Sequence, residues 1–428
     1  MILLYRIISY FLLPFILLRL WYKSKQHKGY IQNIGERFGI YDKSTFPNNK
    51  PYIWVHAVSV GETKACLNLI QELVAQYPSY NILLTNTTPT GRDIAKQILS
   101  QFINDRILYQ AYIPYDAPLL VKRFFKYFNP KIGIILESEI WPNLLLCARN
   151  NNVKLILANA RMSPKSYKRM LYVKPYITKI LSCFNTIAAQ TQIDFDYYKS
   201  LGAENIVLMG NLKFDCLPVG VSEEKTKCFT AHPEYKLFTT QKSVALLAST
   251  REGEEEILIQ AWLDADKPCN LIILPRHLHR LHNIKQYLQS KEIAYTLRTD
   301  LEKVFSNENI KYEVILGDTM GEMPFYIELS DIVIMGGSWL PFGGQNILEP
   351  AIQGRVVLVG EHTYNFLEAT NRAIEMHACF RFTHPVDAFH NLDEILHNKA
   401  QLGINAKKFV EAYQGATKKL MDIIKQHA

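Results

Sequence analysis

The sequence predicts an α/β protein with two Rossmann-like domains that face a central cleft, preceded by an N-terminal membrane-anchor helix. Short apolar runs alternate with helical patterns, the alternation pauses once near the middle, and glycine-rich or charged loops follow nearly every apolar run. Short buried strands that alternate with helices are typical of parallel, doubly wound sheets. A chain of 428 residues is also too long for one ordinary core, which favours two domains.

The first predicted domain takes its strands from a series of apolar runs. These lie at residues 53–58, 81–85, 107–113, 132–136, 153–158, 186–189 and 206–209. Helical patterns lie between them, at 63–76, 91–102 and 117–127 among others. The alternation pauses at 216–224, which contains Pro218, Gly220 and Ser222, and we place the domain boundary there.

The second predicted domain repeats this pattern. Its strands are interpreted at 244–248, 271–274, 294–297, 312–316, 332–335 and 356–359, with helices at 252–265 and 278–290. A polar helix at 406–427 ends the chain. The predicted organisation is an anchor at 1–22, a first domain at 23–216, a second domain at 217–405, and a C-terminal helix at 406–428 that packs back on the first domain.

Residues 2–21 predict membrane attachment, because they are almost wholly apolar and aromatic. The run approaches the ~20 residues that a spanning helix needs, and the lysines that follow it favour a cytoplasmic body. It contains no small-residue cleavage site, so we expect it to be retained. Arg6 and Arg19 lie near its ends, where their side chains reach the headgroups, so a helix lying in the interface also fits.

Composition and charge exclude several classes of function. The net charge of +8 suits an anionic ligand or membrane surface, but no nucleic-acid-binding signature is present, so we expect no nucleic-acid partner. Seven scattered cysteines predict free thiols in a reducing compartment. His277, His279 and His282 do not match a zinc spacing, and the Walker and GxGxxG loops are absent. We therefore expect neither a metal nor a cofactor.

The stretch GGSWLPFGGQNILEP, residues 336–350, follows the strand at 332–335. Its glycine pairs, the first being Gly336 and Gly337, let a backbone approach a ligand, and Asn346 stands where a helix N-cap would. Glu349 follows in the first helical turn, where it can accept hydrogen bonds from ribose hydroxyls. The stretch predicts a phosphate-and-ribose cradle, while a plain turn between a strand and a helix fits the local pattern as well.

Charged residues follow the predicted strands of the first domain. Glu62, in HAVSVGET, is either a helix cap, which the local pattern favours, or a general base for an acceptor hydroxyl. Glu137 and Glu139, in LESEIWPN, follow the strand at 132–136, and since the strand is ending we expect only one of them to face the cleft. Lys213, in GNLKFD, is a lone cation near the predicted hinge.

Similar loops follow strands of the second domain. Ser249 and Arg251, in ASTREGEEE, precede a helix whose early carboxylates fit capping, whereas a cation at a helix start opposes the helix dipole unless an anion is near. Pro275 and Arg276 follow the next strand, and Glu322, in GDTMGEM, follows a later one. Such loops at successive strand ends predict a ligand-binding edge.

Together these motifs resemble the 3-deoxy-D-manno-octulosonic acid (Kdo) transferases of Gram-negative bacteria. The matching segments occur in the expected order over nearly the full length: RFG-Y, HAVSVGET, TPTG, IPYD, LESEIWPN, NARMS, GNLKFD, ST-EGEE, PRH--R, GDTMGEM and GG-----GGQNILEP. The resemblance implies a GT-B glycosyltransferase anchored in the bacterial inner membrane, with its catalytic body on the cytoplasmic side. It also implies transfer of Kdo from CMP-Kdo to the tetraacyldisaccharide lipid A precursor, with inversion and without a bound metal. The implied partners are both substrates and inner-membrane phospholipid.

The resemblance also assigns roles to individual residues. Glu62 matches the family's proton acceptor, and Glu137 and Lys213 match positions that stabilise the transition state. The CMP-binding segments correspond to Pro275, Arg276, Met320, Gly321, Glu322, Asn346, Ile347, Leu348 and Glu349. We add Ser249, Arg251, Gly336 and Gly337 as expected substrate contacts. Ser138, Gln345 and Ile347 depart from the family pattern, which affects donor contacts but removes no catalytic charge.

Two alternatives stay open on the sequence. One is a GT-B transferase with a UDP-sugar donor, which retention of UDP but not CMP would reveal. The other is a non-catalytic, membrane-tethered partner that keeps the fold as an interaction platform. Loss of Glu62 or Arg276 would have favoured that platform, and both residues are present.

Overall fold

The computed structural model describes residues 2–25, 27–47, 49–216, 238, 242–301 and 312–428. The chain divides into two compact units, one comprising Met1–Cys216 with Tyr413–Ala428 and the other Leu217–Ala412. Each unit contains a seven-stranded sheet. The predicted boundary stretch lies outside the described residues beyond Cys216.

The first unit is built on a sheet whose neighbouring strands are all parallel, in the order β3-β2-β1-β4-β5-β6-β7. The strands are β1 Tyr52–His56, β2 Asn81–Asn86, β3 Leu108–Tyr112, β4 Ile132–Leu136, β5 Lys154–Ala160, β6 Thr186–Ala189 and β7 Ile206–Leu208. Successive side chains of a strand point to opposite faces, so Trp54 enters one core while Ile53 and Val55 enter the other. Helices cover both faces, which explains why the central strands read as continuous apolar runs.

The helices of the first unit differ from the predictions mainly at their junctions. They are α1 Ile2–Phe11, α2 Leu13–Ser24, α3 Val60–Ala65, α4 Leu67–Gln76, α5 Pro89–Ile98, α6 Ser100–Asn104, α7 Pro118–Phe128, α8 Pro142–Asn150, α9 Pro164–Leu171, α10 Lys174–Leu181 and α11 Gln192–Ser200. The single helices predicted over 63–76 and 91–102 are each two helices, which meet at Cys66 and Leu99. Neither junction contains the glycine or proline that marks a helix end in a sequence.

The predicted single anchor helix is also two helices. α1 and α2 meet at Leu12 with a bend of 45°. Pro14 lies in the first turn of α2, where a proline has no amide hydrogen to donate to the preceding turn, so the chain bends there. Among the described residues, no single helix is long and apolar enough to cross a bilayer, and only this bent pair meets that test by length and composition.

The second unit has a parallel sheet in the order β10-β11-β9-β8-β12-β13-β14. Its strands are β8 Val244–Thr250, β9 Asn270–Pro275, β10 Tyr295–Leu297, β11 Val314–Leu316, β12 Ile332–Met335, β13 Val356–Val359 and β14 Cys379–Arg381. Its helices are α12 Glu254–Asp264, α13 Leu281–Ser290, α14 Arg298–Leu301, α15 Met323–Leu329, α16 Leu348–Ile352, α17 Leu367–Glu375, α18 Pro385–His390, α19 Leu392–His397 and α20 Lys399–Tyr413. β14 was not predicted, because it is a short edge strand without an apolar run of its own.

The C-terminal helix predicted at 406–427 is wrong as a single element. α20 ends at Tyr413, and a new helix, α21 Ala416–Lys425, follows Gly415, whose φ of 95° only glycine adopts readily. The side chain of Asp215 accepts hydrogen bonds from the backbone N–H groups of Gly415 (2.8 Å) and Thr417 (2.5 Å). These bonds hold the start of α21 against the first unit, whose core includes Leu420 and other α21 side chains.

Replacing Asp215 with alanine is expected to destabilise the first unit. The change removes both acceptors for the first turn of α21, and loss of a helix cap costs about 1–2 kcal/mol. We expect the midpoint of thermal unfolding, measured by scanning fluorimetry in detergent micelles, to fall by about 2–8 °C. Asp422→Ala is the matched control, because that aspartate lies on the same helix and pairs only with exposed Lys425 at 3.6 Å. Equal midpoints for the two variants would contradict the capping role.

Candidate active site

The carboxyl ends of the strands carry local backbone strain in both units. Glu137, directly after β4, has a φ of 59°, Asn159 near the end of β5 has 55°, and Ser249 near the end of β8 has 54°. The pairing register of β5 and of β8 also shifts at these positions. A left-handed conformation costs a residue other than glycine about 1–3 kcal/mol, and such strain clusters at functional sites. Three such residues therefore lie at strand ends that the sequence predicts as ligand-binding, while others, such as Asn129 and Asn152, precede strands at the opposite ends.

Glu62 lies in the first turn of α3, immediately after β1, and only 8% of its surface is exposed. Its carboxylate accepts hydrogen bonds from the backbone N–H of Val58 (2.5 Å) and the hydroxyl of Ser59 (3.1 Å). The Ser59 hydroxyl in turn accepts from the backbone N–H of Glu62, which completes the N-cap of α3. The capping interpretation of Glu62 is thus visible in the geometry.

Besides capping the helix, the Glu62 carboxylate has a raised pKa. Burial raises the pKa of Glu62 to about 7, and the nearby carboxylates of Glu137 and Glu139 raise it as well, against the lowering effect of the bonds from Val58 and Ser59. A carboxylate with a pKa near neutrality holds and releases a proton at physiological pH. A carboxylate with this pKa can accept a proton near neutral pH, as the general-base alternative requires.

Glu137 and Lys213 form an ion pair in the first unit. The Lys213 ammonium donates to Oε1 of Glu137 at 2.8 Å. The Glu137 side chain is 14% exposed, and that of Lys213 is 41% exposed, so the cation keeps a solvent-facing side. Asn211 caps the 3-10 turn Leu212–Phe214 that carries Lys213. The two charges lie 76 residues apart in the sequence. The loop after β7 brings them together, because the N–H of Leu212 donates to Asn159 near the end of β5, which lies beside β4.

Glu139 also belongs to this cluster, and the expectation that only one carboxylate of the LESEIWPN motif faces the cleft stays a prediction. Burial raises the pKa of Glu139 above its usual range, and its Oε2 accepts a hydrogen bond from the Trp141 indole at 2.6 Å. Both Glu137 and Glu139 raise the pKa of Glu62. The left-handed turn at Glu137 ends the strand alternation, so spacing in the sequence could not decide which side chain faces Glu62.

In the second unit, a buried glutamate binds the backbone of the loop at the start of the 336–350 stretch. Glu254, which is fully buried, accepts from the backbone N–H of Gly337 (2.6 Å) through one oxygen. Its other oxygen accepts from the N–H groups of Trp339 (3.0 Å) and Leu340 (3.3 Å). The first of these oxygens also accepts from the N–H of Arg251 (2.8 Å). Four otherwise unpaired donors are thus satisfied by one carboxylate.

The glycines of this loop have separate structural reasons. A Cβ at Gly336 would lie 2.5 Å from the Cα of Thr250, so the backbones of β8 and β12 approach too closely for any other residue. Gly337 has a φ of 72°, which favours glycine. Close backbone packing is therefore a sufficient reason for glycine at position 336, and it fits the alternative that this stretch is a plain turn with no ligand.

The NILEP segment places a polar pair beside a cation. The Asn346 side chain accepts from the N–H of Leu348 (3.1 Å) and donates to Glu349 (3.3 Å). Helix α16 begins at Leu348, so Ile347 and not Asn346 occupies the formal N-cap position, although the Asn346 side chain still caps the first turn. Burial raises the pKa of Glu349, and the charge of Arg276 acts in the opposite direction. Asn346, Glu349 and Arg276 therefore form one cluster.

The remaining predicted contacts are more varied. The Arg251 guanidinium lies over the Phe342 ring at 4.9 Å, and Ser249 is buried. Pro275 ends β9, and the backbone N–H of Arg276 donates to the carbonyl of Thr250 (3.0 Å). The Arg276 side chain is exposed.

In the loop after β11, Glu322 contacts other protein side chains, whereas Met320 and Gly321 border open space. Glu322 accepts from the Thr319 hydroxyl and lies 3.4 Å from Arg298, so its carboxylate is committed to structural contacts. Met320 is 70% exposed, and a Cβ at Gly321 would meet nothing within 4 Å. The structure therefore leaves Met320 and Gly321 accessible to a ligand, while Glu322 acts inside the loop.

Two residues near the strand ends, Glu139 in the first unit and Glu254 in the second, were not predicted as functional. Glu139 had a sequence signal, because it lies in the same strand-end motif as Glu137. Glu254 had only a weak one, because a glutamate early in a helix usually serves as a cap. Its neighbour Glu255 shows that ordinary structural use, in a buried ion pair with Arg280 at 2.8 Å.

Known proteins resemble this chain in sequence and in fold. Residues 32–216 match the family described as 3-Deoxy-D-manno-octulosonic-acid transferase (kdotransferase). A 3-deoxy-D-manno-octulosonic acid transferase of Bordetella pertussis is 33% identical and covers 96% of this chain and 96% of its own length. One of Haemophilus influenzae is 31% identical and covers 97% of this chain and 96% of its own length. A glycosyltransferase structure from Rickettsia africae, at 14% identity, covers 89% of this chain and 99% of its own, with a TM-score of 0.59, which indicates a shared fold.

Replacing Glu254 with glutamine is expected to loosen residues 336–345. A glutamine offers one acceptor oxygen and turns its amide hydrogens toward backbone donors, and an unsatisfied buried donor costs about 1–3 kcal/mol. We expect hydrogen–deuterium exchange, followed by mass spectrometry, to show at least about tenfold faster exchange in the peptide that contains Gly337, Trp339 and Leu340. Glu252→Gln is the matched control, because that side chain is 88% exposed. Exchange at the control's rate in a folded Glu254→Gln protein would show that the carboxylate does not hold the loop.

Proposed function

Because the chain belongs to the 3-deoxy-D-manno-octulosonic acid transferase family, a family of glycosyltransferases, we propose that it transfers Kdo from CMP-Kdo to the tetraacyldisaccharide precursor of lipid A. The observation that carries this proposal is the buried Glu62, whose pKa of about 7 suits a general base. In this reaction an acceptor hydroxyl attacks the anomeric carbon of Kdo, the bond to the CMP phosphate breaks, and the hydroxyl proton passes to Glu62. The configuration at the anomeric carbon inverts.

The Glu137–Lys213 pair supports the charge separation of this reaction. The sugar becomes cationic as the phosphate leaves, and a carboxylate such as Glu137 favours that state. The departing CMP becomes more negative, and the solvent-facing side of the Lys213 ammonium is available to it. The 2.8 Å contact keeps both groups in place before the substrate binds, so little reorganisation is needed during the reaction.

The second unit is proposed to hold CMP-Kdo. The donor carries two negative charges, one on the phosphodiester and one on the sugar carboxylate, which suit the exposed side chain of Arg276. Asn346 and Glu349 lie beside Arg276 and offer a donor and an acceptor for ribose hydroxyls. Arg251 and the accessible loop at Met320 and Gly321 are the further proposed contacts.

We place the enzyme at the cytoplasmic face of the inner membrane, since its proposed acceptor is a lipid. The exposed apolar residues of α1 and α2 and the basic residues that follow them suit an anionic membrane surface.

Glu62→Gln is expected to reduce transfer by at least about a thousandfold while donor binding is retained, because glutamine keeps the side-chain shape but accepts no proton. Transfer is measured by mass spectrometry of the lipid formed from the tetraacylated precursor and CMP-Kdo, and donor binding by calorimetry with CMP. The control is Glu72→Gln, an exposed glutamate on α4. Equal losses of binding and turnover would show that Glu62 acts only in structure. A wild-type protein that forms no Kdo-bearing lipid would refute the proposed reaction.

The pH dependence of transfer provides a separate test. Glu62 must be deprotonated to accept a proton, so we expect kcat/KM to fall below the pKa of about 7, by up to tenfold per pH unit. Glu139→Gln removes a negative charge that raises the pKa of Glu62, and is therefore expected to move the midpoint to lower pH. An identical midpoint in both proteins would assign the titration to another group.

A further inference from the structure

The N-terminal helix pair is attached along its length to the body of the first unit. The Tyr5 hydroxyl donates to Oδ2 of Asp116 at 2.8 Å, and the Tyr10 hydroxyl accepts from the N–H of Leu119 at 2.9 Å. Ile2 packs against the core, and Leu20 of α2 is only 6% exposed. Contacts at both ends of the pair therefore fix it against the protein surface.

Asp116 is itself fixed by the fold. Its carboxylate also accepts from the N–H groups of Asn143 (3.1 Å) and Leu144 (2.7 Å), in the first turn of α8. Burial raises the pKa of Asp116. Tyr5 is therefore bonded to a carboxylate that lies just before α7 and accepts from the first turn of α8.

These contacts are incompatible with a spanning helix. A hydrocarbon core is ~30 Å thick, so α1, with 10 residues and a length of ~15 Å, does not cross it alone, and a span would need α1 and α2 together. To cross the bilayer, residues near Ile2 would have to reach the far side, which would separate Tyr5 from Asp116 and Tyr10 from Leu119. The same body surface presents the charged side chains of α7, which cannot enter the hydrocarbon.

The outer face of the pair is nevertheless strongly apolar. Its exposed large side chains include Leu3, Leu4, Phe11, Phe15, Leu18, Trp21 and Tyr22, each at least 59% exposed. Trp21 and Tyr22 are residue types that settle at the headgroup level of a bilayer, and the Lys25 ammonium lies 4.3 Å from the Trp21 ring. No acidic residue occurs before Glu36, while Arg6, Arg19 and three lysines do.

A basic cavity of about 440 Å³ opens beside this apolar face. Arg6 of α1 and Lys122 and Lys126 of α7 line it, together with asparagine side chains of α8, and no carboxylate is among its described lining residues. Three cations and several amide donors without a counter-charge suit a phosphate. The cavity therefore matches the headgroup of a lipid whose acyl chains lie against the exposed face of α1.

We infer that α1 and α2 form an in-plane anchor, which inserts its apolar face into one leaflet and takes the phosphate of an anionic phospholipid between Arg6, Lys122 and Lys126. The inference rests on the proposed function only in that the acceptor is a membrane lipid. It assigns residues 2–25 to the interface and excludes a span. The occupant of this surface is the phospholipid leaflet itself, since the face combines exposed aromatic side chains with unpaired basic charge.

The topology is tested with the full chain carrying a protease-sensitive epitope before Met1. A spanning α1–α2 would place the epitope outside the cytoplasm, whereas the in-plane anchor keeps it inside. We expect protease to leave the epitope intact in spheroplasts and to remove it from inverted inner-membrane vesicles, with the chain membrane-bound in both. Cleavage in spheroplasts, or recovery of the chain in the soluble fraction, would overturn the in-plane anchor.

The headgroup cavity is tested by flotation of the purified chain with phosphatidylcholine vesicles, with and without phosphatidylglycerol. We expect Lys122→Gln/Lys126→Gln to bind the anionic vesicles at least about tenfold more weakly, because each basic residue near an anionic surface contributes about fivefold. Lys418→Gln/Lys419→Gln is the matched control, since these exposed lysines lie on α21, which covers the opposite face of the sheet. Equal binding by the two double variants would overturn the headgroup site.

Transfer by the wild-type protein to a detergent-solubilised acceptor is measured separately. That assay needs no bilayer, so a failure there would refute the proposed reaction without affecting the topology. Conversely, normal transfer with an epitope cleaved in spheroplasts would refute the in-plane anchor alone.

Discussion

Burial of both faces of a parallel sheet is the constraint on which each unit of this protein depends. Strands such as β1 and β4 are wholly buried, so nearly all of their side chains are apolar, and the imidazole of His56 lies at the carboxyl end of β1. The charged residues of the candidate site follow the strands, where sheet pairing ends and loops begin. Because the strands of each sheet run the same way, their carboxyl ends lie along one edge of that sheet, where Glu137 is found in the first unit and Ser249 in the second.

Two buried glutamates, one in each unit, illustrate different uses of a carboxylate near the strand ends. Glu254 is surrounded by four backbone N–H groups, which consume its accepting capacity and fix a loop. Glu62 accepts two hydrogen bonds, and burial, with the nearby charges of Glu137 and Glu139, raises its pKa to about 7. One carboxylate therefore serves as an acceptor for a loop backbone, and the other has a raised pKa near the end of β1.

The N-terminal helices follow a similar division between structural and exposed groups. Tyr5 and Tyr10 bond to the body, while residues such as Phe11 and Trp21 remain exposed. A soluble helix would bury such a face against the protein, and a spanning helix would not bond to a polar body at both ends. This arrangement fits the proposed lipid acceptor, because the proposed in-plane anchor keeps the first unit at a membrane leaflet.

The sequence by itself determined the alternating strands, the two-unit organisation of the sheets and the strand-end position of Glu62, Glu137 and Lys213, because apolar periodicity and turn residues are local signals. It did not determine the break in the anchor, the two C-terminal helices or the edge strand β14. Only the tertiary structure showed that Lys213 pairs with Glu137, that Glu139 lies near Glu62, and that Glu254 accepts hydrogen bonds from the loop at Gly337. The Lys213 and Glu254 contacts join residues that are far apart in the chain, and the position of Glu139 depends on the left-handed turn at Glu137. Such contacts arise from tertiary packing, which a local sequence pattern does not encode.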